Sequence, residues 1–348
     1  MKKKDNHTIV SDNLPKHIKK GHQLVFSRQD LSAREADMFA LMIANMLPED
    51  WKQDTPHYSF TAEQLSKWLN IDSKHVGSNL NPVSNRLASR KIGIKVESED
   101  QDTEFDYRPL FKHIAYKKGI LTMVPNDMLK KEYIAYNQGF ALINTKNFFN
   151  IKKEYSKRLY EILSRFKDVA LSMHPIGIEE LKGLFGLLSE NGKIKKDKIS
   201  FKSNNVFMKR CIRDSIVELS TNEATKNEII FHTSPKGEKG FDLIKQGNKI
   251  ISIKFLYQWK HSQVNQVEDA QIIIHQLESK RITGKIKLSI QELQKLKDAY
   301  TIIGDQKSIE IIDKALESKV NNNIDIKKSK TITDQILELK EGSEKLEY

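Results

Sequence analysis

The chain has 348 residues, 38% of them hydrophobic and 30% charged, with a net charge of +12. That length allows two or three domains with real cores, and no run approaches the roughly 20 apolar residues that a membrane span needs, so no membrane partner is expected. The single cysteine, Cys211, excludes an intramolecular disulfide framework and suits a reducing cytoplasm. The opening MKKKDNHTIV is basic but has no apolar stretch after it, so it does not read as a signal peptide. From Ser262 onward there are 14 basic and 15 acidic residues, so the first 261 residues carry +13. A field of that sign suits a polyanion, and the plainer alternative is an inert basic surface.

In chain order, LSAREADMFALMIANML spaces Leu31, Met38, Leu41, Met42, Ala44 and Leu47 as one face of a helix that Pro48 ends. Thr61 and Gln64 form a capping box before a short helix with Leu65, Trp68 and Leu69. After the turn NIDSKHVGS comes a helical stretch ending NPVSNRLASRKI. Pro82 predicts either a start near Asn81 or a kink there. KIGIKVE alternates as a half-buried strand, ESEDQDTEFD reads as an acidic loop, and YRPLFKHIAY, KKG and ILTMVP read as a β-hairpin. Helix, helix-turn-helix and hairpin is the order of a winged helix.

The order then repeats about 120 residues later. NIKKEYSKRLYEILSRFKD reads as a helix with Ile151, Tyr155, Leu159, Ile162, Leu163 and Phe166 on one face. IGIEELKGLFGL gives a second helix, and SNNVFMKRCIRDSIVELS a third with Phe207, Cys211, Ile212, Ile216 and Leu219 apolar. Strands NEIIFHT, KGFDLIKQ and NKIISIKFLYQW follow, the last two joined at Gly247-Asn248. The expected fold class is therefore α+β, with tandem winged helices and a mainly helical tail. The expected domains are a flexible 1–20, a first winged helix 21–145, a second 146–261, and an extension 262–348 of unassigned role. In that extension SIQELQKL opens with a Ser289–Glu292 capping box and NNNIDIKKSK reads as a linker.

The third helix of the second unit carries the sharpest chemistry. Asn205, Lys209 and Arg213 recur at i, i+4 and i+8, Arg210 lies beside them, and Ser203 and Asn204 stand at the helix start. Such side chains, anchored by an apolar back, can pair with guanine or adenine edges in a major groove, whereas a solvated charged face is the alternative. Helices flanking a reading helix cross the phosphate backbone. Lys152, Lys153, Lys157, Arg158, Arg165 and Lys167 are therefore candidate phosphate contacts, about half of them touching DNA. In the first unit Lys74, Arg86, Arg90 and Lys91 are candidates for backbone contacts.

The stretch YSKRLYEIL resembles the signature of the theta-type plasmid replication initiators, the Rep proteins that bind iterons; FMKRCI and IVELS are similar to their reading helix. The resemblance spans about Asn13 to Trp259. It implies base- and phosphate-contacting roles for Lys209 and Arg210, and a basic wing at Lys245 and Lys249. Met208 departs from the basic triplet of some members. It also implies monomers that bind directly repeated origin DNA, homodimers associated through the first unit that repress the initiator's own gene, exchange between the two, and host replication proteins as partners.

Enzymatic readings find little. The histidines include no pair two apart, and GLLSENGKI has one residue too many between its glycines for a phosphate-binding loop. One cysteine makes no zinc spacing, so neither metal nor cofactor is expected. His113, His174 and His232 read as surface or structural, and Tyr155 and Tyr160 as core. A winged-helix transcriptional regulator, or a DNA-processing enzyme with an unrecognised site, remain the alternatives to a non-enzymatic initiator.

Overall fold

The computed structural model describes residues 8–52, 54–96, 104–136, 139–167, 173–247, 249–260, 270, 273–274, 277–278, 280–281 and 288–319. The chain divides into two compact units at residues 260 and 261.

The larger unit opens with β1 (Thr8–Val10), β2 (His17–Gly21), α1 (His22–Val25) and β3 (Arg28–Gln29). In α2 (Ala33–Ala44) the Ser32 hydroxyl accepts from the Glu35 amide, and the Glu35 carboxylate accepts from the Ser32 amide. Both satisfy amides that a helix start leaves unpaired. After β4 (His57–Thr61) the expected Thr61–Gln64 box caps α3 (Ala62–Leu69), which Asn70 ends in the left-handed region at φ 50°. Of the two alternatives at Pro82, the start near Asn81 is not taken: α4 (Val76–Ala88) runs through Pro82, its seventh residue, which faces solvent, where a carbonyl left unbonded can reach water.

β5 (Lys91–Val96) pairs with β6 (Glu104–Pro109), so the end of the stretch expected to be an acidic loop is strand. Its remainder, 97–103, lies outside the described residues. Phe105 and Tyr107 alternate with acidic residues there, and Tyr107 packs on Gly93, where a Cβ would come within 2.7 Å of the ring. β7 (Phe111–Lys117) and β8 (Ile120–Pro125) form the first wing; Lys118 and Gly119 both take positive φ, as a two-residue hairpin turn requires. The wing extends into a sheet ordered β1-β4-β8-β7, with β1 parallel to β4. α5 (Lys130–Ile134) and β9 (Phe140–Asn144), paired to β2, complete this half.

The helix expected from Asn150 is shorter, α7 (Glu154–Ser164); a separate helix, α6 (Thr145–Asn150), precedes it, with Ile151 buried in the break. β10 (Ile176–Gly177) and α8 (Ile178–Leu184) follow, then a 3₁₀ stretch Lys196–Lys202. The third helix runs as α9 (Asn204–Phe207), a π-helical segment Met208–Arg213 and α10 (Asp214–Thr221). The second wing is β12 (Phe241–Gln246) with β13 (Lys249–Phe255), joined to β10; β11 (Ile229–Phe231) pairs with β14 (Tyr257–Trp259). The same order thus occurs twice, over one continuous core from Ile18 to Trp259. The fold is a tandem winged helix of α+β class.

In the smaller unit the expected Ser289–Glu292 box caps a helix Ile290–Ile303 that Gly304 ends at φ 76°. Residues 306–319 are helical as well, and Leu288, Leu293, Leu296, Tyr300 and Ile312 form a small core. The expected linker NNNIDIKKSK lies outside the described residues.

Candidate nucleic-acid interface

The basic side of α7 points inward. Lys157 is 1% exposed; its ammonium donates to Asp37 Oδ1 at 2.6 Å and to the Phe148 carbonyl. Arg158 is buried, and its guanidinium donates to the carbonyls of Leu184, Val25 and Ser27 and to Glu161 Oε2, all within 2.6–2.8 Å. Glu161 also receives buried Lys20 at 2.8 Å. Burial pushes the Glu161 carboxyl up, but Lys20 and Arg158 together outweigh it and hold it below the usual carboxylate range. Burial takes Lys20 down to about 8, against the pull of Glu161. Buried charge is tolerated only where it is paired and its donors are satisfied, as here. Lys157 and Arg158 are therefore struts that bind α7 to α2, α1 and α8, and the phosphate role expected of them is corrected.

Arg165 donates to His22 Nδ1 at 3.2 Å, and Lys167 pairs with Glu228 at 2.7 Å beside the Trp259 ring. Tyr160, buried as expected, donates to the same Glu228. Only Lys152 and Lys153 of the six remain exposed. They sit at the start of α7, where their backbone amides donate to the Glu218 carboxylate of α10.

The third helix of the second half behaves differently. Phe207, Cys211, Ser215 and Leu219 are buried, and so are Met208, Ile212 and Ile216. An α-helix overshoots a full turn by about 40° at every four-residue step, so a buried row of strict period four would wind off the core. The π-helical segment, with its wider turn, takes back part of that drift. Ser203, Asn205, Lys209 and Arg210 are exposed, Asn204 half so. Met208 belongs to the anchor at 2% exposure, which explains its departure from the basic pattern. Arg213 is forked to Glu238, its Nε donating to Oε2 at 3.1 Å and its Nη2 to Oε1.

At the second wing Lys245 and Lys249 are exposed on either side of Gly247, whose φ is +59°. The sequence reading missed the run before the third helix, where Lys193, Lys196 and Lys202 are exposed, and the first wing tip at Lys117 and Lys118. The signal lies in the basic strings KIKKDKISFK and KKG, the second of which also makes the wing's turn.

In the first half Lys74 is exposed in the turn capped by Asp72. Arg86 is exposed and lies 3.3 Å from Glu35, and exposed Lys91 lies 3.2 Å from Glu190. Arg90 is committed: it clasps the fully buried Glu35 carboxylate at 2.9 Å and approaches Asp30 at 3.7 Å. It is corrected from a DNA contact to a tie between α4 and the start of α2. Among the described residues no three His, Cys, Asp or Glu side chains gather as a metal site.

Two helix-turn-helix units, each followed by a hairpin wing and one with an exposed basic face on an anchored third helix, define a tandem winged-helix DNA-binding protein. Residues 17–164 match the family described as "Initiator Replication protein, WH1". Over those residues the chain matches the replication initiators, in line with the resemblance to the theta-type plasmid initiators that YSKRLYEIL carries. The matched span runs through α7 and so includes the YSKRLYEIL signature. Among solved structures the chain is similar to one titled "Crystal structure of Pi initiator protein in complex with iteron DNA", at 16% identity and a TM-score of 0.53, over 72% of this chain and all of that one. No curated protein compared with the chain matches it. No helix of the described residues is long and apolar enough to cross a membrane.

Proposed function

We propose that this initiator binds directly repeated origin DNA, iterons, one monomer to a repeat, and acts as a binding protein rather than an enzyme, in the cytoplasm. Residues 146–261 serve as the main reading domain. Residues 21–145 contribute backbone contacts and the surface through which dimers form, and those dimers repress the initiator's own gene. Host replication proteins meet the bound monomer.

The observation that carries this reading is the N-terminal half of the third helix. Ser203, Asn205, Lys209 and Arg210 stand exposed there, over an anchor of Phe207, Met208 and Cys211. A recognition helix contacts base edges mainly through its N-terminal residues. Lys209 and Asn205 have the donors for guanine and adenine. Lys152, Lys153, Lys196, Lys202, Lys245 and Lys249 supply phosphate contacts that position the protein without reading sequence. The structurally similar initiator was solved with iteron DNA, and the shared fold supports the same ligand class here.

Titration of a labelled duplex carrying one repeat, against a scrambled duplex of equal length, tests the reading. Footprinting alongside light scattering should give a one-to-one complex that protects roughly two turns of duplex. Equal affinity for both duplexes, or occupancy of one repeat by dimers alone, would overturn it.

A further inference from the structure

Arg213 was expected to be a free base reader, yet Glu238 holds it. The bond uses the side edge of the guanidinium, Nε and Nη2. Arginine carries five N–H donors in a planar fork. Two are used here, and the two on Nη1 with one on Nη2 remain at the other edge. The guanidinium also lies 5.6 Å from the Phe241 ring centroid, which backs it from the base of the wing. Both partners keep solvent access, at 42% and 30% side-chain exposure.

Glu238 is itself fixed. The Ser234 hydroxyl accepts from the amides of Lys236 and Glu238, Gly237 takes φ +84°, and Thr233 bridges to Lys239 across the turn. The carboxylate therefore projects from a closed turn rather than from a mobile loop. On the same helix Arg210 lies 5.9 Å from the Phe201 ring centroid, but neither it nor Lys209 makes an ion pair among the described residues, so of the three Arg213 is the one held by a carboxylate.

We propose that Glu238 is a specificity-determining, positioning residue: it buttresses Arg213 so that the guanidinium's free edge meets a bidentate acceptor in the major groove, the O6 and N7 of one guanine. The proposal rests on the reading of this helix as the DNA-contacting element. Ordering a free arginine on binding costs roughly two- to tenfold in affinity, and a pre-set arginine avoids that loss. A held arginine also cannot swing to a phosphate, so it adds little on DNA without the guanine. A good bidentate pair discriminates by about 5- to 150-fold. Both effects widen the gap between specific and non-specific binding.

The test measures wild type, Glu238→Gln, Arg213→Ala and the double variant on repeat and scrambled duplexes across a salt range, with thermal melts as a folding control. Glu238→Ala serves as a second variant should the glutamine disturb the turn. Glu238→Gln should lower the specific-to-scrambled ratio about three- to tenfold. Its salt slope on scrambled DNA should steepen by about 0.9 as the released arginine finds a phosphate. One position of the repeat should lose its preference for guanine in a base-substitution scan. In the Arg213→Ala background the Glu238 change should no longer move the ratio. If Glu238→Gln shifts both duplexes equally, and does so again without Arg213, the carboxylate acts by plain repulsion and the proposal is wrong. If Arg213→Ala leaves both affinities unchanged, the reading of this face fails first.

Discussion

Two helices of the second half carry similar basic strings and use them oppositely. In α7 the sequence Tyr-Ser-Lys-Arg-Leu-Tyr-Glu sends Lys157, Arg158 and Glu161 into a buried ionic seam with Asp37 and Lys20. In the third helix Phe-Met-Lys-Arg-Cys-Ile buries Phe207 and Met208 and leaves Lys209 and Arg210 in solvent. The difference lies in what faces each helix. α7 is enclosed between the first half and the third helix, so any polar residue on it must find a partner inside the protein. The third helix has protein on one side only. A helix signature rich in charge can thus mark an internal joint as readily as a ligand surface.

The sharpest way to break this comparison is to remove a strut. Lys157→Ala leaves the buried Asp37 carboxylate to its weaker, part-exposed partner Arg34 at 3.3 Å and should cost about 3 kcal/mol in a urea melt. A loss under 1 kcal/mol would place Lys157 at the surface. Lys209→Ala should do the reverse. It should cost roughly 1–3 kcal/mol of specific binding while moving the unfolding free energy by no more than about 0.5 kcal/mol. Equal loss on repeat and scrambled DNA would reduce Lys209 to a phosphate contact.

Acid should loosen the same joint from its edge. His17, at the start of β2, is drawn down to about 4 by burial, then by Lys167 and Lys16, with Glu228 opposing. Its ordinary value is 6.5, so between pH 6.5 and 4 the unfolded chain binds more protons. Stability from this group is therefore present above pH 6.5 and lost as pH falls to 4. Allowing for its partial exposure, the loss is about 1–2 kcal/mol. His17→Gln should flatten that part of the stability profile, and an unchanged acid limb would show that His17 titrates normally. The smallest effect belongs to the 3₁₀ stretch before the third helix. Lys196→Ala and Lys202→Ala should each lower the salt slope by about 0.9 on either duplex, with the ratio of affinities unchanged. A slope equal to wild type would remove these lysines from the interface.

Features set by near neighbours were legible in the sequence: the Thr61–Gln64 and Ser289–Glu292 caps, the alternation of β5 and the Lys118–Gly119 turn all follow from residues a few places apart. What failed depended on distant partners. Lys157 meets Asp37 across 120 positions and Lys20 meets Glu161 across 141, so counting basic residues on α7 could not reveal which way they point. The same holds for Arg90 with Glu35, across 55 positions, and Arg213 with Glu238, across 25. The π-helical segment has no local signal either. It is imposed by the core, which keeps seven side chains inside at a spacing that an α-helix alone would not sustain. The exposure of Asn205, Lys209 and Arg210 was legible because the anchor beneath them is apolar and local.

α7 joins the two winged helices, and the third helix is proposed to read DNA. The most direct measurement is the salt dependence of binding in the double variant Lys157→Met/Asp37→Asn, beside Lys209→Met. Replacing both members of a buried pair with uncharged groups of similar size is often tolerated, so the double variant should fold. Its slope of log affinity against log salt should equal that of wild type, and its discrimination should be intact. Lys209→Met should lose discrimination with an unchanged melt. A slope reduced by about 0.9 in the folded double variant, with Lys209→Met indistinguishable from wild type, would contradict the account.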